Sequence, residues 1–351
     1  MTANFSDGVL NASSWHGLER VGDMPDADAM IAAGESSGAW PTLLTMPDVQ
    51  TADGAVMCKG YRAVVGHYLN GDMRSLGVVG SRYHATTPDS WRELVRAAAL
   101  AGGKPTGAFA LADHTRLVAT FEVGQANGLR TNLLLADAFD GSMRLNVGFT
   151  SIRVVCCNTL AAAMSSDGKG MAALRHTASL ESKVEGLKDA IATSIATGEK
   201  VRETYNRAAT LSMSRDGVIA MLDVLFPTAP KDAPKATITR MAENRADAVR
   251  AMSNPVNNEG TSLATVWNAA TYLVDRTVGG APRKVSGDNT RLDSMLFGAR
   301  QKRVEEIREV VLQVIDRAGN EQSVTASMAL DMGADRNQVG RKILEAMAED
   351  A

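Results

Sequence analysis

Five polar residues near the middle of the chain, Arg153, Asn158, Thr159, Arg175 and His176, form its densest set of groups able to do chemistry. Two guanidiniums beside the free N–H groups of a helix start suit a phosphate better than a metal ion. Asn158 offers that start, because its side-chain oxygen can accept from a backbone N–H of a first helical turn. His176 titrates near neutrality and can serve as acid or base, although a histidine beside an arginine is also a common hydrogen-bonded structural residue. Cys156 or Cys157 with His176 is the one sensible nucleophile pair, and a thiol inside a strand is usually inert. No CxxC, HxxH or HExxH spacing occurs, and no glycine-rich phosphate loop follows a strand. The pattern asks for no metal and no cofactor.

These residues need elements to hold them. Residues 149–160, FTSIRVVCCNTL, alternate as a strand over 152–157 and then predict a short helix from Thr159 until Ser165-Ser166-Asp167-Gly168. Upstream, residues 106–112, 116–123, 131–137 and 143–150 read as strands with short turns, the strongest turn being Asp140-Gly141. Short connections favour an antiparallel meander over crossovers. Leu117, Ala119, Phe121 and Val123 share one face with Leu145, Val147 and Phe149. Arg116, Thr120, Glu122, Arg144 and Asn146 lie opposite, with Arg153 on the same side. That polar face is either simply solvated or a surface whose arginines read a phosphate backbone.

The rest of the chain supports the sheet. Residues 1–55 are rich in Gly, Asp, Ser and Pro, with one short helix expected over 26–33. Strands are expected over 61–65 and 74–79. Thr87 caps a helix with Pro88 at its first position, and Gly102-Gly103 stop it. A helix over 179–211 would exceed about 45 Å at roughly 1.5 Å per residue, with Gly198 a possible break. Ser214 caps a further helix that ends at Pro227, and residues 228–235, TAPKDAPK, read as a linker. Beyond it, helices are expected over 238–252, 263–274 and 304–315. Residues 323–349 read as two short helices around Gly333, the second opening with Arg336, Asn337, Arg341 and Lys342. That pair is either a packed hairpin or a helix-turn-helix whose second helix reads DNA. The expectation is an α+β protein, an antiparallel sheet with helices on one face followed by a mainly helical C-terminal region. It divides into a core domain over 1–227 and a helical region over 228–351.

Composition narrows the function classes. The 351 residues are 45% hydrophobic and 22% charged, with a net charge of −3, so any nucleic-acid contact must come from a local patch. Aromatics at 5% argue against a dense base-stacking surface. Three cysteines form no paired framework, and no run approaches membrane-spanning length. The expectation is a soluble cytoplasmic protein of a bacterial host cell, without membrane contact.

The RVVCCNTL stretch and the later Leu174-Arg175-His176-Thr177 resemble the phage- and plasmid-like proteins of the YfjQ/YafZ type, a family of unknown function. Trp15-His16-Gly17-Leu18, Leu76-Gly77-Val78-Val79 with Tyr83, Asp140-Gly141-Ser142, Gly260-Thr261 through Trp267-Asn268-Ala269 to Tyr272, and Leu296-Phe297-Gly298 follow the same pattern. The family usually has Gln where Cys157 stands. The resemblance covers roughly residues 15–315 and implies a mobile-element setting without assigning a reaction. The resulting expectation is nucleic-acid binding without turnover, most concretely an oligomeric single-stranded DNA binding or annealing protein. The alternatives are an enzyme acting on a phosphorylated or nucleotide substrate, and an interaction protein that counters a host defence factor.

Overall fold

The computed structural model describes residues 8–10, 19–20, 24–50, 54, 57–111, 113–126, 129–153, 158–163, 173–180, 183, 186–230, 232–253, 261–278, 281–282 and 299–324. Two short strands, β1 (Gly8–Leu10) and β2 (Glu19–Arg20), precede α1 (Ala27–Ser36). Asp26 caps that helix by accepting from the Ala29 N–H at 2.8 Å. Next come β3 (Leu43–Thr45), β4 (Asp48–Gln50), β5 (Met57–His67) and β6 (Met73–Gly80), a small antiparallel sheet built on β5. The cap at Thr87 forms as expected, accepting from the Ser90 N–H at 3.2 Å, with Pro88 opening α2 (Pro88–Leu100). Gly102 follows the helix at φ +97°, a left-handed position that favours glycine. Trp40 and Trp91 meet edge to face, with ring centres 5.5 Å apart, and Arg92 of α2 binds Glu35 of α1 at 2.7 Å. These two contacts lock α1 and the segment just after it against α2.

The meander is present. It consists of β7 (Lys104–Leu111), β8 (Arg116–Ala126), β9 (Leu129–Ala138) and β10 (Leu145–Arg153), each antiparallel to the next. Two more strands, β11 (Asn158–Ala163) and β12 (Ala173–Leu174), both pair antiparallel with β10. Among the described residues the sheet has eight strands, in the order β11-β10-β9-β8-β7-β1-β2 with β12 also on β10, and its only parallel pair is β1–β2.

One expectation fails here. Residues 158–163 are a strand and not a helix, so Asn158 is no N-cap; it pairs with Arg153, and Ala163 pairs with Phe149. Alanine's helix preference is a weak local bias. It loses to pairing along the edge of β10, which would otherwise present unpaired backbone groups. Cys156 and Cys157 lie outside the described residues.

The long helix is shorter than expected. α3 runs Leu187–Thr210, about 36 Å at roughly 1.5 Å per residue. Gly198 does not divide it. The helix passes close over the sheet there, and a Cβ at that position would run into the Thr131 side chain of β9. The remaining elements are β13 (Ser212–Met213), α4 (Arg215–Leu225) capped by Ser214, α5 (Lys235–Ser253) and α6 (Leu263–Arg276). A small hairpin, β14 (Thr277–Val278) and β15 (Ala281–Pro282), is followed by α7 (Ala299–Ala318) and β16 (Ser323–Val324). Arg336, Asn337, Arg341 and Lys342 lie outside the described residues. Among the described residues no helix is long and apolar enough to cross a membrane.

Two apolar clusters organise the molecule. The first joins Met30, Trp40, Trp91 and Leu94 to Leu117, Ala119, Phe121, Leu133, Leu135 and Val147 on one face of the meander, with Leu187 and Ile191 of α3. The second joins Phe149, Tyr205, Met221, Leu225, Trp267, Val304 and Val311. The expected domain boundary at 227/228 falls within this second cluster. On the other face of the meander Thr120, Asn132 and Asn146 are at most 3% exposed, while Arg116 and Glu122 are half-buried and Arg144 is exposed. The middle of that face is therefore not the solvated polar surface that alternation allows.

Candidate functional site

Asp137 is the one acid in the apolar run Leu133–Phe139, near the end of β9. It is 0% exposed, and its Oδ1 accepts from the Ala138 N–H at 2.8 Å. The same oxygen stands 2.9 Å from Nε2 of buried His176. With the ring protonated, the contact is an ion pair. Nδ1 of His176 donates to the His84 carbonyl at 3.2 Å. Both ring nitrogens thus face acceptors, which only the doubly protonated imidazolium satisfies. Burial pulls the His176 pKa down, but the Asp137 carboxylate, by hydrogen bond and charge, and the His84 carbonyl outweigh it and raise the pKa above its ordinary value.

Tyr83 closes the group from one side. Its ring lies 4.6 Å from the imidazole and its hydroxyl donates to the Ala138 carbonyl at 2.7 Å. Burial, then the charges of Asp137 and Asp140, keep that hydroxyl protonated well above the usual tyrosine range. The His84 N–H donates back to the His176 carbonyl at 3.2 Å, which stitches the two segments together. The Asp140 turn belongs to the same assembly. Asp140 Oδ1 accepts from the Ser142 N–H at 2.9 Å, and Gly141 sits at φ +77°. A Cβ on Gly77 would stand 2.7 Å from the Asp140 Cα, so only glycine lets β6 pass this turn. The motifs at 76–79, 83, 140–142 and 174–177, scattered in sequence, therefore meet at one end of the sheet.

That end is rimmed by arginines. Arg144 immediately precedes Leu145, which pairs with Leu174, and Arg175 immediately follows Leu174; the two are neighbours across the strand ends. Both are exposed, as is Arg82 beside Tyr83. Half-buried Arg116 opens β8 opposite Ala138 and donates to the Ser142 hydroxyl at 3.4 Å. Among the described residues, Arg82, Arg144 and Arg175 have no carboxylate partner.

The five-residue anion site expected around the helix start does not assemble. Arg153 pairs with Leu129 and Asn158 at the far end of β10, with Thr159 opposite the preceding Ile152. Eight residues of strand separate Arg153 from Leu145, about 26 Å at roughly 3.3 Å per residue. Arg175 and His176 are therefore at one end of β10, and Arg153, Asn158 and Thr159 at the other. Reasoning from sequence missed Asp137 and the part played by His84. The signal for Asp137 was available, since a lone carboxylate in an apolar strand must find a partner.

A model of one protein family spans residues 75–308, more than half of the chain. The chain belongs to the DUF932 family, a domain of unknown function. The DUF932 match takes in Tyr83, His84, Asp137, Asp140, Arg144, Arg175 and His176, and it begins downstream of β1 to β5. No curated protein and no solved structure matches the chain.

Proposed function

We propose that this DUF932 protein binds nucleic acid, without turnover, at the arginine rim beside the Asp137–His176 pair. The observation that carries the reading is the exposure of Arg82, Arg144 and Arg175 on one sheet end, free of carboxylate partners among the described residues. Guanidiniums held this way offer planar, multi-donor contacts to phosphate. The net charge of −3 leaves the attraction local, so repeated copies of the rim in a homo-oligomer would multiply a weak contact. Single-stranded DNA is the favoured partner, bound by an oligomeric binding or annealing protein. The resemblance of the central motifs to YfjQ/YafZ-type phage- and plasmid-like proteins supports DNA of a mobile element in a bacterial cytoplasm. The burial of His176, with its ring nitrogens facing Asp137 and the His84 carbonyl, supports a structural role for it over an acid–base role in the alternative reading, an enzyme acting on a phosphorylated or nucleotide substrate.

The test is anisotropy of a labelled single-stranded oligonucleotide across a salt series, with light scattering on the same samples. Binding that weakens steeply with salt, by a particle larger than one chain, is the expected result. Absence of binding at about 50 mM salt, or indifference to salt, removes the reading.

A further inference from the structure

A crevice opens between the start of α2 and strands β8 and β9, lined by Pro41, Thr86, Pro88, Trp91, Leu117 and Asp137 among others. Its free space is about 10 Å³, on the order of one water molecule. Three of the residues around it carry a buried polar atom without a hydrogen-bond partner: Asp137 Oδ2, Thr86 Oγ1 and Trp91 Nε1. Asp137 is 0% exposed, Thr86 2% and Trp91 3%. Native proteins rarely leave such groups unmatched; protein or ordered water satisfies nearly all of them.

The chemistry of the three groups selects the occupant. Indole N–H only donates, a carboxylate oxygen only accepts, and a hydroxyl does both. An anion would be repelled by Asp137. A divalent cation would find one carboxylate oxygen and one hydroxyl, too few oxygen ligands, beside an indole N–H that can only donate. Water both donates and accepts, and two to four polar partners are what a buried water needs. We infer that this crevice is a site for one internal water, which accepts from Trp91 Nε1–H, donates to Asp137 Oδ2 and completes its bonding at Thr86. Asp137 then spends Oδ1 on His176 and Ala138 and Oδ2 on this water, so the start of α2 joins the hydrogen-bonded assembly beneath the arginine rim.

The site can be read from the tryptophan side chains, of which the chain has four. In protein labelled with ¹⁵N-tryptophan, Trp91→Phe assigns the Trp91 indole signal. The expected result is a cross-peak from that indole proton to a water that stays longer than the protein takes to tumble, and loss of the cross-peak in Thr86→Val. A crystal structure at water-resolving resolution should place a single water within hydrogen-bond distance of all three groups. An indole proton with no long-lived water, an unchanged cross-peak in Thr86→Val, or crystal density showing the crevice closed or filled by another group would overturn the assignment.

Discussion

His176 holds Asp137 by one ring nitrogen and the His84 carbonyl by the other, so a single imidazolium ties β9, the segment after β6 and the strand end at Leu174 together. A buried charge pair of this kind is not a large source of net stability, but breaking it by removing one member leaves a charge stranded in the interior. Asp137→Asn should lower stability by about 3 kcal/mol on that basis. Denaturant titration of the two proteins checks it; a change within experimental error would mean the pair is solvated in a way the burial does not show.

The same pair sets a pH dependence. The folded-state pKa of His176 lies above its unfolded value of about 6.5. Its contribution is therefore fully present below about pH 6.5 and is lost as pH rises through the folded pKa. Melting temperatures measured between about pH 6 and 9 should fall with rising pH by more in the native sequence than in His176→Gln. Equal slopes in the two proteins would remove His176 as the origin.

Gly198 makes a packing prediction. Replacing glycine by alanine inside a helix ordinarily adds up to about 1 kcal/mol of stability. Here the added methyl meets the Thr131 side chain across the helix–sheet contact, and Gly198→Ala should instead destabilise, by roughly 1–3 kcal/mol. Thr131→Ser deletes the crowding methyl, so the double variant should recover most of the loss. Chemical denaturation of the four proteins in the cycle reads this directly.

These cases also show where the sequence was legible. Thr87-Pro88, Ser214 and the alternation of β8 to β10 are local signals, and each led to the right element. Residues 158–163 misled because Asn-Thr-Leu-Ala-Ala-Ala looks locally like a capped helix, while the edge of β10 that claims it lies outside any short window. The anion site failed for the same reason: strand length, not residue type, separates Arg153 from Arg175. The buried middle of the meander's second face was equally invisible, since alternation reports two different faces without saying what covers either. Asp137 is the opposite case, a local anomaly whose meaning appeared only once His176 was seen beside it.

The arginine rim gives the last prediction. Arg144→Ala and Arg175→Ala should each weaken binding of single-stranded DNA while the melting temperature stays close to native, because both side chains are exposed. Each lost phosphate contact should also reduce the slope of log affinity against log salt by about 0.7. Arg144 and Arg175 are neighbours across the strand ends, so their double variant should depart from additivity, as residues that share partners do. Arg153 begins about 26 Å from that end by strand rise, so Arg153→Ala combined with Arg175→Ala should be additive to within about 0.5 kcal/mol. Anisotropy titrations of the three single and two double variants decide it. Strong coupling between Arg153 and Arg175 would mean that one bound strand engages both ends of β10, and the rim would no longer account for binding alone.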